Sequence, residues 1–139
     1  MRPATLLAIL LAHFLCLTTY PAAAAGLGLE LNKAEDSAQG CLATVLIGND
    51  LGQTLDRFRL DLVLFDSSGV LFDRLLIDLA PLPAGRTTIA RFALHAGRCD
   101  GISRILLRDL PACRAQDGKT YDCLTDLVIT TRAAIGFSK

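Results

Sequence analysis

An all-β sandwich of about seven strands is the fold that this sequence predicts. Three observations point to it. Apolar and polar residues alternate with a period of two, most clearly over residues 58–65 (FRLDLVLF). Turn-forming residues punctuate the chain at short, regular intervals. No strand-helix-strand rhythm appears, which disfavours a parallel sheet. A chain of 139 residues has room for one ordinary domain.

The first element is an N-terminal signal helix. Residues 1–5 carry Arg2, residues 6–17 read LLAILLAHFLCL, and Thr18-Thr19-Tyr20-Pro21 leads into an alanine run at 22–25. A positive head, an apolar segment of about a dozen residues and small residues at an A-x-A site describe a secretory signal peptide. Cleavage is placed after Ala25, with Ala24 as the alternative. A membrane-spanning helix needs about 20 apolar residues, whereas this segment is interrupted by His13 and ends at Pro21. Cys16 follows His13-Phe14-Leu15 rather than the small residues of a lipoprotein signal, and no Arg-Arg pair supports twin-arginine export. Residues 1–25 are therefore read as the signal peptide and 26–139 as the β domain. Membrane contact is expected only through the signal peptide before cleavage.

Within the domain, residues 26–33 alternate as GLGLELNK, with Leu27, Leu29 and Leu31 on one face. Residues 41–47 (CLATVLI) form a compact apolar run closed by Gly48-Asn49-Asp50. The third strand, 58–65, puts Phe58, Leu60, Leu62 and Leu64 inward and Arg59 and Asp61 outward. Asp66-Ser67-Ser68-Gly69 reads as a hairpin turn, because aspartate bonds the backbone ahead of it and glycine tolerates positive φ. Residues 70–79 follow, and Pro81-Leu82-Pro83-Ala84-Gly85 breaks regular structure. Residues 86–94, 102–110 and 124–132 complete the seven. In 102–110 (ISRILLRDL), Ile102, Ile105, Leu106 and Asp109 also suit a helical period. Its place between strands and ahead of Pro111 favours a strand. Together these elements describe an immunoglobulin-like antiparallel β-sandwich.

Loss of the signal peptide removes Cys16 and leaves Cys41, Cys99, Cys113 and Cys123. An even cysteine count in an exported chain favours disulfides. Four cysteines allow three pairings. In an immunoglobulin-like order the second and sixth strands run the same way in different sheets, so Cys41 and Cys99 fall at one end of the sandwich. Cys113 ends the sixth strand and Cys123 starts the seventh. The order favours Cys41–Cys99 with Cys113–Cys123.

Three segments resemble a group of small secreted alphaproteobacterial proteins often labelled Tat pathway signal sequence domain proteins. They are residues 58–70 (FRLDLVLFDSSGV), 80–94 (APLPAGRTTIARFAL) and 98–113 (RCDGISRILLRDLPAC). The resemblance spans nearly all of the domain with the cysteines in step, and its motifs are turn-and-strand patterns. It implies a periplasmic residence and brings no activity with it. The chain departs from the label in lacking a twin arginine.

Charge and composition exclude several functions. The chain balances 14 Lys and Arg against 14 Asp and Glu, and loss of Arg2 leaves it one cation short. Nucleic-acid binding rewards clusters of unmatched cations, so no nucleic acid is expected. Thiol exchange uses C-x-x-C near a helix N-terminus, a spacing this chain lacks. Paired zinc knuckles are missing too, and Asp66-Ser67-Ser68-Gly69 is too short for a calcium loop. Neither a metal nor another cofactor is expected.

His95, Asp100 and Ser103 lie close together in HAGRCDGIS and superficially supply a hydrolytic triad, but such triads are defined in space and no G-x-S-x-G elbow accompanies them. The acids read as solvated turn and outer-face residues. No catalytic residue is assigned. One outer-face feature stands out: Arg57 and Arg59 on the third strand beside Arg104 and Arg108 on the sixth. They offer an interaction surface for an anion or acidic partner, unless Asp61 and Asp109 pair with them across the strands. The expected function is a non-enzymatic periplasmic or secreted module of the envelope that engages a protein partner of unknown identity. A small-ligand or carbohydrate-binding module is the alternative, although the domain has no Trp and a single Tyr, Tyr121. A hydrolase using His95 comes third.

Overall fold

The computed structural model describes residues 26–139, so the signal peptide and Cys16 lie outside the described residues. Eight strands follow in order: β1 (Leu27–Ser37), β2 (Gly40–Asn49), β3 (Leu55–Phe65), β4 (Leu71–Asp78), β5 (Arg86–His95), β6 (Arg104–Ala115), β7 (Val128–Thr131) and β8 (Gly136–Ser138). They form two four-stranded sheets, ordered β5-β2-β1-β7 and β4-β3-β6-β8. The long strands β5-β2-β1 facing β4-β3-β6 make the immunoglobulin-like sandwich expected from the sequence. Their pairings are antiparallel.

The core is the apolar half of each alternation. Leu27, Leu29 and Leu31 of β1, with Val45 and Ile47 of β2, meet Phe58, Leu60, Leu62 and Leu64 of β3, all buried. Asp66 accepts from the amides of Ser68 and Val70 at 2.9 Å each, which closes the β3–β4 turn. Gly40 ends the β1–β2 hairpin at φ 105°. A Cβ there would lie 2.1 Å from the His95 carbonyl oxygen, so both its dihedral and its neighbour require glycine.

Several expected boundaries shift: β1 runs on to Ser37 rather than ending at Lys33, β3 begins at Leu55 rather than Phe58, and β6 and β7 change as well. Strand β6 does not stop before Pro111 but continues to Ala115. The β3–β6 register slips there, with Arg59 opposite Ala112 but Asp61 opposite Asp109. Pro111 falls in that bulge, where the ladder needs no donor from it. The expected seventh strand shortens to β7, and an eighth forms beyond it. The Asp122 carboxylate accepts from the Thr125 amide at 3.3 Å and from its hydroxyl at 2.6 Å, which curls the chain and keeps 122–125 out of the ladder. After β7, the Thr131 hydroxyl donates to the Ile135 carbonyl at 3.1 Å as the chain crosses to the other sheet. Strands β7 and β8 run parallel to β1 and β6, so both sheets are mixed rather than wholly antiparallel.

Two disulfides join the cysteines, Cys41–Cys99 and Cys113–Cys123. The first ties the start of β2 to a short 3-10 turn, Cys99–Gly101, ahead of β6. The second ties β6 to the loop preceding β7. Such bonds belong to an oxidising, extracytoplasmic environment. Among the described residues, no helix is long and apolar enough to cross a membrane.

Candidate functional site

Strands β3, β4 and β6 lie side by side, and they carry six arginines on a single sheet. At its centre is Asp61, which points outward as its place in the alternation demands yet is only 1% exposed. The expectation that it is a solvated outer-face acid is corrected here. Two guanidinium groups cover it from the flanking strands. Arg74 of β4 donates Nε to Oδ1 at 2.8 Å and Nη2 to Oδ2 at 2.9 Å. Arg108 of β6 donates Nε to Oδ2 at 2.8 Å and also places Nη2 on that oxygen. The Arg74 hydrogen bonds, with Arg108 beside them, hold the Asp61 carboxyl below the usual carboxylate range although burial opposes this. In turn Asp61 raises the pKa of Arg74.

The other arginines fall around this centre. Arg57 meets Asp78 at 2.6 Å, and Arg114 meets Asp56 at 3.1 Å. The Arg104 guanidinium stands 4.2 Å above the Phe65 ring. Among the described residues, no carboxylate lies within 4.0 Å of Arg59 or Arg104. The four arginines singled out in the sequence thus share one sheet, but in different states. Arg57 and Arg108 are engaged by Asp78 and Asp61. Arg59 and Arg104 keep an unmatched charge. Asp109 does not join an arginine; its carboxylate accepts from the Leu110 amide at 2.8 Å.

His95, Asp100 and Ser103 face separate partners. The Ser103 hydroxyl donates to the carbonyls of Phe65 and Asp66, and Asp100 accepts from Arg98 Nε at 3.3 Å. His95 Nδ1 lies 2.5 Å from Asp73 Oδ2, a link from β5 of one sheet to β4 of the other. The Phe72 and His95 rings stand perpendicular, their centres 5.0 Å apart. That hydrogen bond is the first cause of the low Asp73 pKa, with the Arg74 amide adding to it. Sequence reading singled out neither Asp73 nor Arg74. Both lie on a strand whose neighbours are set only by the sheet order, and no local pattern marks them.

A shallow cleft of about 420 Å³ runs between Arg57, Pro111, Arg114 and Tyr121. The Lys119 ammonium sits 5.1 Å from the Tyr121 ring centre and occupies one face of the ring as a platform. No group of three His, Cys, Asp or Glu side chains among the described residues is placed to hold a metal ion. Comparison with protein-family models, with curated proteins and with solved structures found no match.

Proposed function

We propose that this protein is a non-enzymatic binding module of the cell envelope, periplasmic or secreted, whose arginine-bearing sheet face docks an acidic protein partner. One observation carries the reading: Arg59 and Arg104 hold unmatched charges on the face where Arg74 and Arg108 share the single carboxylate of Asp61. Exposed ion pairs within a domain contribute only about 0–1 kcal/mol each, so stability alone gives little reason to crowd cations here. A rigid sheet fixes their spacing, which favours recognition of a complementary surface. The two disulfides support residence outside the cytoplasm, as does the resemblance carried by residues 58–70, 80–94 and 98–113.

Crosslinking with mass spectrometry in intact cells tests the reading. Wild-type protein should link to an acidic envelope protein through residues bordering Arg59 and Arg104. The double variant Arg59→Glu/Arg104→Glu, with its fold checked by circular dichroism, should lose those links. Links that persist in the variant, or that map to another face, would overturn the reading.

A further inference from the structure

Of the six large apolar side chains exposed among the described residues, Val70, Leu71, Phe72 and Leu76 lie on or next to β4, with exposures of 58%, 51%, 38% and 45%, while Ile89 and Val128 stand singly on β5 and β7. Strand β4 is also the open edge of its sheet, paired with β3 alone. An eight-residue edge with this much apolar surface is a template for strand addition; a bulge at Phe72, where the β3 partners step from Asp73 to Leu71, blunts its first residues and leaves 74–78 as the regular stretch. The sequence of this edge indicates what covers it.

Residues 74–78 read Arg-Leu-Leu-Ile-Asp. Turned antiparallel against a second copy about Leu76, the segment complements itself. Arg74 stands opposite the Asp78 position of the other copy, Leu75 opposite Ile77, and Leu76 opposite Leu76. The match is confined to this stretch: farther out Asp73 would stand opposite Leu79, and Ala80 and Pro81 lie beyond the end of β4. Arg74 uses Nε and Nη2 on Asp61, and a guanidinium with five donors keeps Nη1 for a further acceptor. Asp78 accepts from the Phe58 and Ala80 amides and from Arg57, which leaves room for one more donor on a carboxylate. The other long edge, β5, cannot complement itself in this way. Its sequence, RTTIARFALH, contains no acid.

We propose that the protein forms a two-fold homodimer in which β4 pairs with β4 of a second copy, Leu76 lying on the axis. The two β4-β3-β6-β8 sheets then join into one sheet of eight strands, an isologous contact that closes on itself. This uses the edge of the sheet and does not rest on the proposed role of its face.

Sedimentation over a concentration series tests the dimer on protein purified after expression of the full chain. Wild type should sediment as a reversible dimer. Leu76→Lys places two ammonium groups opposite each other and should weaken the dimer by about tenfold or more. A second variant reports the register. Opposed Cα atoms in an antiparallel pair lie ~4.5–5.5 Å apart, within disulfide reach, so Leu76→Cys should oxidise to a covalent dimer linked through the two introduced cysteines. Ile89→Cys, on β5, should not. A wild-type protein that stays monomeric at its highest soluble concentration would overturn the proposal. So would a dimer that Leu76→Lys leaves intact. Should Leu76→Lys fail to fold, the cysteine variant decides: no link between the introduced cysteines means no β4 dimer.

Discussion

Replacing Asp61 by asparagine separates charge from shape at the centre of the outer sheet face. Its carboxyl is held below the ordinary range by Arg74 and Arg108, so the folded state binds its proton less tightly than the unfolded chain does. The resulting stability is complete above the unfolded value, ~4, and is lost as pH falls through the folded one. Asp61→Asn should therefore cost about 1–2 kcal/mol at pH 7, and the difference from wild type should shrink toward pH 3. Urea unfolding of both proteins at the two pH values checks this. A second buried polar residue behaves differently. Asn49 is fully buried, donating Nδ2 to the carbonyls of Gln53 and Leu82 at 2.8 Å and accepting from the Leu51 amide at 3.1 Å. Asn49→Leu strands the Gln53 carbonyl and the Leu51 amide, while the Leu82 carbonyl keeps the Leu55 amide at 3.0 Å, and should cost about 2–3 kcal/mol at any pH between 4 and 8. Sequence reading used Asn49 as a turn marker and Asp61 as an outer-face acid open to cross-strand pairing. The pairing of Asp61 with Arg108 was legible; the burial of both residues was not, because burial depends on residues that other strands deliver.

At the level of elements, local chemistry predicted most of what formed. The alternation in residues 58–65 gave the inward set of β3, and Asp66 with Gly69 gave the turn after it. The misjudged boundaries of β6 and β7 have one long-range cause and one local cause. Pro111 is a breaker in isolation, but in the β3–β6 bulge it meets no demand for a donor. The segment 124–132 looks like one strand, yet the Asp122–Thr125 bonds delay its start. The arginine set was legible as a cluster, since Arg57, Arg59, Arg104 and Arg108 come from adjacent strands, but its division into matched and unmatched charges was not. The hairpin that joins β1 to β2 offers a sharp test at this scale. Gly40→Ala meets both a positive φ and the His95 carbonyl at 2.1 Å. Backbone must move to accept it, and the neighbouring Cys41–Cys99 bond resists that movement. A loss of about 2–4 kcal/mol is expected, whereas Gly69→Ala, with positive φ but nothing within 4 Å of its Cβ, should cost only about 1. Thermal unfolding of the two variants separates steric conflict from dihedral strain.

For the molecule as a whole, compartment and stability are coupled through the disulfides. The Cys41–Cys99 bond spans 58 residues and Cys113–Cys123 spans 10, so loop closure assigns them about 4 and about 3 kcal/mol as upper values. A domain of this size is stable by ~5–15 kcal/mol in all. Losing both bonds removes a large share of that, and the chain folds securely only where thiols oxidise. The Cys113→Ser/Cys123→Ser variant should therefore remain folded with a lowered unfolding midpoint, and Cys41→Ser/Cys99→Ser should suffer more. Removal of all four cysteines should leave a marginal domain, as should reduction of the wild type with dithiothreitol. Intact-mass measurement of the exported protein before and after reduction links this to the leader. The expected chain begins at Gly26, or at Ala25 by the alternative cleavage, and gains the mass of four hydrogens as the two disulfides open. A chain that retains Met1, or one that carries four free thiols when isolated, would contradict the export reading. It would also remove the reason why so small a sandwich tolerates a charge-rich sheet and an apolar open edge.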